Sequence, residues 1–191
     1  MALVSYGVQF MKKDSASLAY IGQKPGTQVP DSDAWFTPGE FIERVRRCMG
    51  SIDLDPFSCA EANVTIRARV FFSKEDSAIG RPWCTHGKVT VFINPPYGRE
   101  IKKWIKKAYE EGLKPNTTVV CLIPSRTDTS WWWDYVTKGE IIFVRGRIKF
   151  INKTLPSYKE GEDNRSPAPF PSAIVIFGRK KSDTFKYPED D

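Results

Sequence analysis

The sequence has one histidine and no closely spaced cysteines, and this excludes several kinds of site. His86 is the single histidine among 191 residues, and none of the four cysteines belongs to a C-x-x-C pair. We therefore expect neither a zinc site nor a disulfide framework, and such cysteine usage is typical of a reduced, cytoplasmic setting. His86 lies in a polar stretch, which indicates a loop residue rather than a metal ligand or a base.

Long apolar runs are also absent. No stretch of about 18 apolar residues occurs, so no membrane-spanning segment is expected. Residues 1–10 lack the basic and apolar regions of a signal peptide, and none is predicted. With 40% hydrophobic and 13% aromatic residues, the chain can bury one core and is interpreted as a single domain.

Strand and helix patterns alternate after a polar N-terminal segment. Residues 1–34 show little periodicity and are predicted to form a flexible arm, and residues 182–191 form an acidic tail. Helices are predicted over 38–49, 58–66, 101–112 and 129–137, and strands over 51–55, 68–72, 89–93, 117–123 and 141–144. This alternation favours an α/β fold with a mostly parallel sheet.

Two local predictions refine this fold. Thr37 precedes Pro38 and stands three residues before Glu40, a pattern that predicts Thr37 as the N-cap of the first helix. Near the other end, residues 148–151 and 173–177 are predicted to pair as an antiparallel C-terminal hairpin around a long loop.

Basic residues outnumber acidic ones. The chain has 29 Lys and Arg against 23 Asp and Glu, a net charge of +6 and a pI near 9.1, which is compatible with a polyanionic partner. Four lysines, at positions 102, 103, 106 and 107, share one broad side of the third predicted helix. Their spacing is as compatible with a solvated helix face as with contact to nucleic acid.

The tetrapeptide Asn94-Pro95-Pro96-Tyr97 follows the predicted strand 89–93 and precedes a predicted helix. The Asn94 side-chain carbonyl and the Pro95 backbone carbonyl can each accept one hydrogen of an exocyclic amine. Two such acceptors turn the amine lone pair toward a methyl donor and favour the positive charge that grows on nitrogen. The prolines fix the backbone beforehand, and Tyr97 offers an aromatic face to a flipped-out base. The alternative is a simple turn after a strand; the flanking strand and helix favour a catalytic loop.

Ligands of open α/β sheets bind beyond the carboxyl ends of the strands, where the strand order reverses. Asp55 ends one predicted strand and Asn94 follows another, so both can face one cleft. Asp53 and Asp55 together place two carboxylates beside an apolar strand end, although Asp55 could simply cap the next turn.

Several stretches occur in an order that carries a family resemblance, and they span about residues 35–177. They are Trp35-Phe36-Thr37-Pro38, Leu54-Asp55-Pro56-Phe57-Ser58, Glu61-Ala62-Asn63, Phe71-Phe72, Glu75-Asp76, Asn94-Pro95-Pro96-Tyr97-Gly98-Arg99, Trp104-Ile105, Leu122 to Thr129, Gly146 to Phe150 and Ser166 to Ser172. In these the chain resembles the phage-type DNA N6-adenine methyltransferases. The resemblance implies a Rossmann-like fold, dependence on S-adenosyl-L-methionine, and a catalytic domain over residues 35–181. It also implies adenine-containing DNA as partner and, for a phage gene, the bacterial cytoplasm as location.

The resemblance also implies which residues bind the methyl donor. Thr37 and Pro38 would line its methionine end with Trp35 or Phe36 nearby. Asp55 and Phe57 would contact the donor, and Asp76 would reach its adenosine part. The G-x-G turn common in Rossmann-like methyltransferases is replaced here by Pro56-Phe57-Ser58-Cys59-Ala60, a replacement that the resembling family tolerates. Without the resemblance, Thr37-Pro38 could only start a helix and Asp76 could be a loop acid.

Candidate DNA contacts are Arg99, Lys103, Arg126 and Trp132. Arg126 could instead pair with an acidic group, and at least one of the three consecutive tryptophans is expected in the core. Related loops also occur in enzymes that act on cytosine N4 or a protein glutamine, so these substrates, RNA, and a catalytically silent nucleic-acid-binding protein remain alternatives. The chain has no length for a separate recognition domain, so loose specificity, or specificity from residues 1–34 and 152–172, is expected. The oligomeric state is left open.

Overall fold

The computed structural model describes residues 35–73, 76, 78–84, 87–152, 159 and 165–178. The predicted arm at 1–34 and tail at 182–191 lie outside the described residues. The helices are α1 (Gly39–Met49), α2 (Ala60–Ile66), α3 (Ile101–Gly112) and α4 (Ser130–Asp134), and a short 3-10 turn follows at Val136–Lys138. The strands are β1 (Trp35–Phe36), β2 (Leu54–Asp55), β3 (Val70–Phe71), β4 (Val89–Ile93), β5 (Thr117–Pro124), β6 (Glu140–Phe143), β7 (Lys149–Asn152), β8 (Arg165–Pro167) and β9 (Ser172–Phe177).

Six strands form the main sheet in the order β3-β2-β4-β5-β9-β6. Strands β3, β2, β4 and β5 are mutually parallel, and β9 runs antiparallel to both of its neighbours. The predicted α/β fold with a mostly parallel sheet is therefore confirmed. Because β3 lies on one side of β2 and β4 on the other, the strand order reverses between β2 and β4.

The C-terminal hairpin exists, but its predicted strand partner is wrong. Strand β7 pairs with β8 and with β1 in a separate three-stranded antiparallel sheet, whereas β9 lies between β5 and β6. Every residue of β9 is buried, as suits a central strand, while β7 alternates exposed and buried positions. The run from Ala173 to Phe177 is apolar on both faces and gains most by burial on both, so the interior of the main sheet outcompetes the hairpin.

Two apolar layers cover the main sheet. In β5, Val119, Cys121 and Ile123 face the cluster that includes α3 and α4, whereas Val120 and Leu122 face the one that includes α1. This alternation follows from the two-residue period of a strand. The small sheet contributes Ile148 and Phe150 to the α1 side. Within the described residues, no helix combines the length and apolar composition that crossing a membrane requires.

The predicted capping role of Thr37 is wrong. Helix α1 has Pro38 as its N-cap and no side-chain capping hydrogen bond. The Thr37 side chain is buried, and its Oγ1 accepts a hydrogen bond from Asn94 Nδ2 instead. A tertiary partner has therefore replaced the local one.

Gly178 offers a test of how β9 meets the rest of the sheet. It has φ +86°, and a Cβ there would lie 2.0 Å from the Thr117 carbonyl oxygen. Gly178→Ala should lower the free energy of unfolding for two reasons. Left-handed backbone strain should cost about 1–2 kcal/mol, and overpacking should cost about 1–3 kcal/mol more. Gly146, at φ +77° with no heavy atom within 4 Å of such a Cβ, is the matched control, and Gly146→Ala should show the backbone strain alone. Equal losses in urea unfolding would contradict the close approach.

Candidate active site

The reversal of strand order brings two predicted site segments to one edge of the sheet. Leu54 of β2 pairs with Val91 of β4. Because these strands are parallel, Asp55 at the end of β2 and Asn94 just after β4 both lie at the carboxyl edge. The crevice between them is where an open α/β sheet binds a ligand.

The Asn94 amide is held at both ends. Its Nδ2 donates a hydrogen bond to Thr37 Oγ1 at 3.1 Å. The Trp35 carbonyl oxygen, 3.4 Å from Nδ2, is a second acceptor. Its Oδ1 accepts a hydrogen bond from the Tyr97 hydroxyl at 2.5 Å. A carbonyl oxygen has two lone pairs, so Oδ1 keeps acceptor capacity for a substrate hydrogen. The network fixes which end of the amide is the acceptor and where it points.

Tyr97 connects this loop to the neighbouring strand. Its hydroxyl lies 3.3 Å from the Leu122 carbonyl oxygen of β5, and burial raises the pKa of the phenol above its usual value, so it stays a neutral donor. Its half-buried ring meets the Phe170 ring edge-on, with centroids 5.4 Å apart. Phe170 was not singled out as a site residue, although it belongs to the conspicuous Pro169-Phe170-Pro171 run. Of the two prolines between, Pro95 is buried and Pro96 is half-buried.

Asp55 is a buried carboxyl at the crevice. Its side chain is 1% exposed, and Oδ1 accepts a hydrogen bond from the Phe57 backbone N–H at 3.0 Å. Desolvation raises the pKa of Asp55 to about 7, and hydrogen bonds from Phe57 and Ser58 only partly oppose this. The carboxyl can therefore exchange a proton near neutral pH.

Aromatic rings pack together around Phe57, two residues after Asp55. The half-buried Phe57 ring meets Trp104 edge-on at a centroid distance of 4.4 Å and Trp83 at 6.1 Å. Trp104 Nε1 is buried and has no hydrogen-bond partner among the described residues. A buried indole N–H without an acceptor is uncommon and marks a place for a ligand acceptor. Trp83 gave no signal in the sequence, whereas Trp104 lies in one of the stretches that carry the resemblance.

Asp76 also lies at this edge, beyond β3. Its Oδ2 accepts hydrogen bonds from the Ser73 N–H at 2.8 Å and from Ser73 Oγ at 2.9 Å, and its Oδ1 lies 3.2 Å from Arg81 Nη2. These contacts hold the carboxylate just beyond the end of β3 and give both of its oxygens local partners.

The four predicted DNA contacts differ in exposure and in their partners. Arg99 and Arg126 are exposed, and Arg126 Cζ lies 5.8 Å from the centroid of the Phe170 ring. Lys103 Nζ pairs with Glu100. Trp132 is 3% exposed and stacks on Phe143, so it has almost no surface for DNA.

Trp133 is the exposed member of the tryptophan triplet. It is 65% exposed, and its Nε1 donates to the carbonyl of Thr127, the residue after Arg126, at 2.9 Å, which fixes the ring on that loop. Sequence reasoning missed it because adjacent helix positions differ by about 100° in direction. Only the surrounding packing decides which indole turns inward.

Comparisons with known proteins identify one family. The family model of DNA N-6-adenine-methyltransferase (Dam) matches residues 24–185. No curated protein matches the chain in sequence. Among solved structures, the chain is similar to a Pyrococcus horikoshii protein provisionally described as an RNA methyltransferase, with 13% identity, a TM-score of 0.39, and coverage of 80% of this chain and 90% of that one. It is also similar to precorrin 8w decarboxylase of Methanobacterium thermoautotrophicum, with 14% identity, a TM-score of 0.40, and coverage of 80% and 100%. Likeness at this level bears on neither substrate nor reaction.

The raised pKa of Asp55 predicts a pH effect on stability. Between its ordinary value of 3.8 and about 7, the folded protein holds a proton that the unfolded chain releases. The contribution of Asp55 to the free energy of unfolding is therefore fully present below pH 4 and is lost as the pH rises through 7. Asp55→Asn, which stays neutral, should become more stable relative to the parent protein across that window in urea unfolding. Parallel pH profiles, or a carboxyl carbon of Asp55 that titrates near pH 4 by NMR, would contradict this.

Proposed function

The chain belongs to the DNA N-6-adenine-methyltransferase (Dam) family and is therefore of a methyltransferase family; on that premise we propose that it methylates the exocyclic N6 amine of adenine in DNA. The observation that carries the proposal is the fixed Asn94 amide at the strand-order reversal. An oriented acceptor beside a ligand crevice is what transfer to a weakly nucleophilic amine requires. The family generally uses S-adenosyl-L-methionine, and we propose it as the donor here.

The crevice residues fit such a donor. S-adenosyl-L-methionine, when bound, supplies an electrophilic methyl group carried on a sulfonium sulfur. Phe57 and Trp104 offer aromatic surface, and the unpartnered Trp104 Nε1–H offers a donor to a polar group of the ligand. Asp55 offers a carboxylate to the donor's ammonium group, and Asp76 can accept from ribose hydroxyls. The polar and apolar groups around Trp35, Thr37 and Pro38 would complete the methionine end.

The catalytic loop acts on the amine. Asn94 Oδ1 and the Pro95 carbonyl each accept one N6 hydrogen, which turns the nitrogen lone pair away from the ring and toward the donor. A nitrogen–carbon bond forms as the carbon–sulfur bond breaks, and N6 gains positive charge. The two carbonyl oxygens stabilise that charge until the methylated N6 releases one proton to solvent. Because its acceptors are set in advance, the site needs no strong base.

The proposed approach of DNA rests on the positions of exposed aromatic and basic side chains around Asn94. A base within a duplex must flip out to reach Asn94, and the accessible part of the Tyr97 ring is the proposed stacking surface. Arg99 and Arg126 are the proposed phosphate contacts, and Lys103 would have to exchange Glu100 for a phosphate. Trp133 replaces the buried Trp132 as the proposed aromatic contact.

The first experiment identifies the product of the reaction. Purified protein is incubated with unmethylated duplex DNA and methyl-labelled S-adenosyl-L-methionine, and the digested nucleosides are separated by mass spectrometry. We expect label in N6-methyladenine, and at least a roughly 100-fold loss of rate in Asn94→Ala with donor affinity retained. Label in N4-methylcytosine, or in RNA or protein acceptors alone, would redirect the substrate. Full activity of Asn94→Ala would refute the mechanism.

The Tyr97 hydroxyl and ring should contribute separately. Tyr97→Phe removes the hydrogen bond to Asn94 Oδ1 but keeps the ring, so kcat should fall about tenfold while KM for DNA stays near its original value. Tyr97→Leu removes the ring too and should raise KM for DNA as well. Tyr135→Phe, a half-buried tyrosine that packs on Tyr109, is the control and should match the parent protein. A KM change in Tyr97→Phe as large as in Tyr97→Leu would argue against this division.

A further inference from the structure

Four exposed arginines follow the carboxyl ends of three strands of the main sheet. Arg99 follows β4, Arg126 follows β5, and Arg145 and Arg147 follow β6. We call these four residues the arginine row. Strand β6 is antiparallel to β9, and β9 is antiparallel to β5, so β6 runs parallel to β5. All four arginines therefore lie at the same sheet edge as Asn94.

The row has a length that suits a nucleic-acid strand. Three strand intervals separate β4 from β6 in the sheet order. At about 4.8 Å for each interval, the row extends about 14 Å from Arg99 to Arg145 and Arg147. One strand of a duplex carries a phosphate about every 3.4 Å of helix axis, so the row is as long as about four nucleotides.

Positive charge in the row is available, unlike that of the nearby helix. The four lysines of α3 all contact carboxylates: Lys102 pairs with Asp134, Lys103 with Glu100, Lys106 with Glu110, and Lys107 with Glu111. Among the described residues, none of the four arginines has a carboxylate partner, and the Arg126 guanidinium lies over the Phe170 ring. Asp128 is an exposed carboxylate close in sequence, and it forms no ion pair with Arg126. The lysines behave as a solvated, self-neutralised face, and the arginines carry the unbalanced charge.

The turn at the far end of the row projects into solvent. Arg145 and Arg147 flank Gly146, whose φ of +77° makes the turn and where a Cβ would meet no heavy atom within 4 Å. Both guanidinium groups can therefore reach outward, and a guanidinium can bind a phosphate through two parallel hydrogen bonds. Trp133, held by Thr127, the residue after Arg126, adds an exposed aromatic surface.

We propose that the DNA strand flanking the target adenine runs along the arginine row, from Arg99 toward Arg145 and Arg147, with the guanidinium groups on phosphates of that strand. This inference rests on the proposed function and deepens it. It places the DNA over the β5 and β6 side of Asn94, while the methyl donor occupies the β2 side. Arg145 and Arg147 act in binding and lie away from the reacting amine.

A matched pair of double variants tests the row. Arg145→Ala with Arg147→Ala removes two charges from it, and Arg47→Ala with Lys88→Ala removes two exposed charges elsewhere. Arg47 is in the last turn of α1, and Lys88 directly precedes β4, so both lie at the opposite edge of the sheet. Binding of a fluorescent unmethylated duplex is measured by anisotropy over a range of salt, with S-adenosyl-L-homocysteine present to prevent turnover. Methylation of the same duplex is measured in parallel.

The row variant should lower the slope of log Kd against log salt by about two, because each lost phosphate contact removes about 0.9. Its Kd should rise at least about tenfold, while kcat at saturating DNA and donor affinity stay unchanged. The control variant should keep the original slope. If the parent protein methylates DNA and the row variant keeps its slope, or both variants lose slope equally, the row is wrong and the proposed function stands. If the parent protein neither binds nor methylates DNA, both the arginine row and the proposed function are wrong.

Discussion

The hydrogen bonds of the Asn94 amide connect three parts of the chain that are far apart in sequence. They join the segment before α1, through Trp35 and Thr37, to the loop after β4 and, through Tyr97, to β5. An amide group left unpaired in such a site costs about 1–3 kcal/mol, so the loop and the start of α1 hold each other in place. The conformation that orients Asn94 Oδ1 thus depends on the packing of the domain and not on the four loop residues alone.

The position of β9 determines what else can surround this amide. By lying antiparallel between β5 and β6, β9 lets β6 point the same way as β5. The carboxyl ends of β3, β2, β4, β5 and β6 consequently meet at one edge, with Asn94 near the middle of that series. Had β9 paired with β7 instead, β6 would have had no neighbour in the main sheet, and its terminal arginines would not lie in line with Arg126.

Local signals in the sequence were sufficient for elements whose pattern is decided nearby. Strand 89–93 and helix 101–112 have the predicted bounds because alternation and helical periodicity are strong there. Thr37 failed as a cap because the half-buried amide of Asn94 competes for the same oxygen, which no local pattern reveals. The partner of β9 failed for a similar reason, since any buried apolar strand is compatible with several neighbours. Phe170 and Trp83 reach the site only through tertiary packing, so residue spacing gave no reason to choose them.

The arrangement accounts for how a cation and a polyanion can use one site. In the proposed reaction a positively charged donor must lie in line with an amine carried by a strongly negative polymer. On the β2 side, the groups at the edge are aromatic rings and a buried carboxyl whose pKa of about 7 lets it ionise when a positive group approaches. On the β5 and β6 side, the described residues include Arg126, Arg145 and Arg147, whose exposed guanidinium groups have no carboxylate partner and would favour phosphate over the donor. In that proposal Asn94 stands between the two, so each ligand would be attracted to its own side and the reacting atoms would meet at the boundary between the two fields.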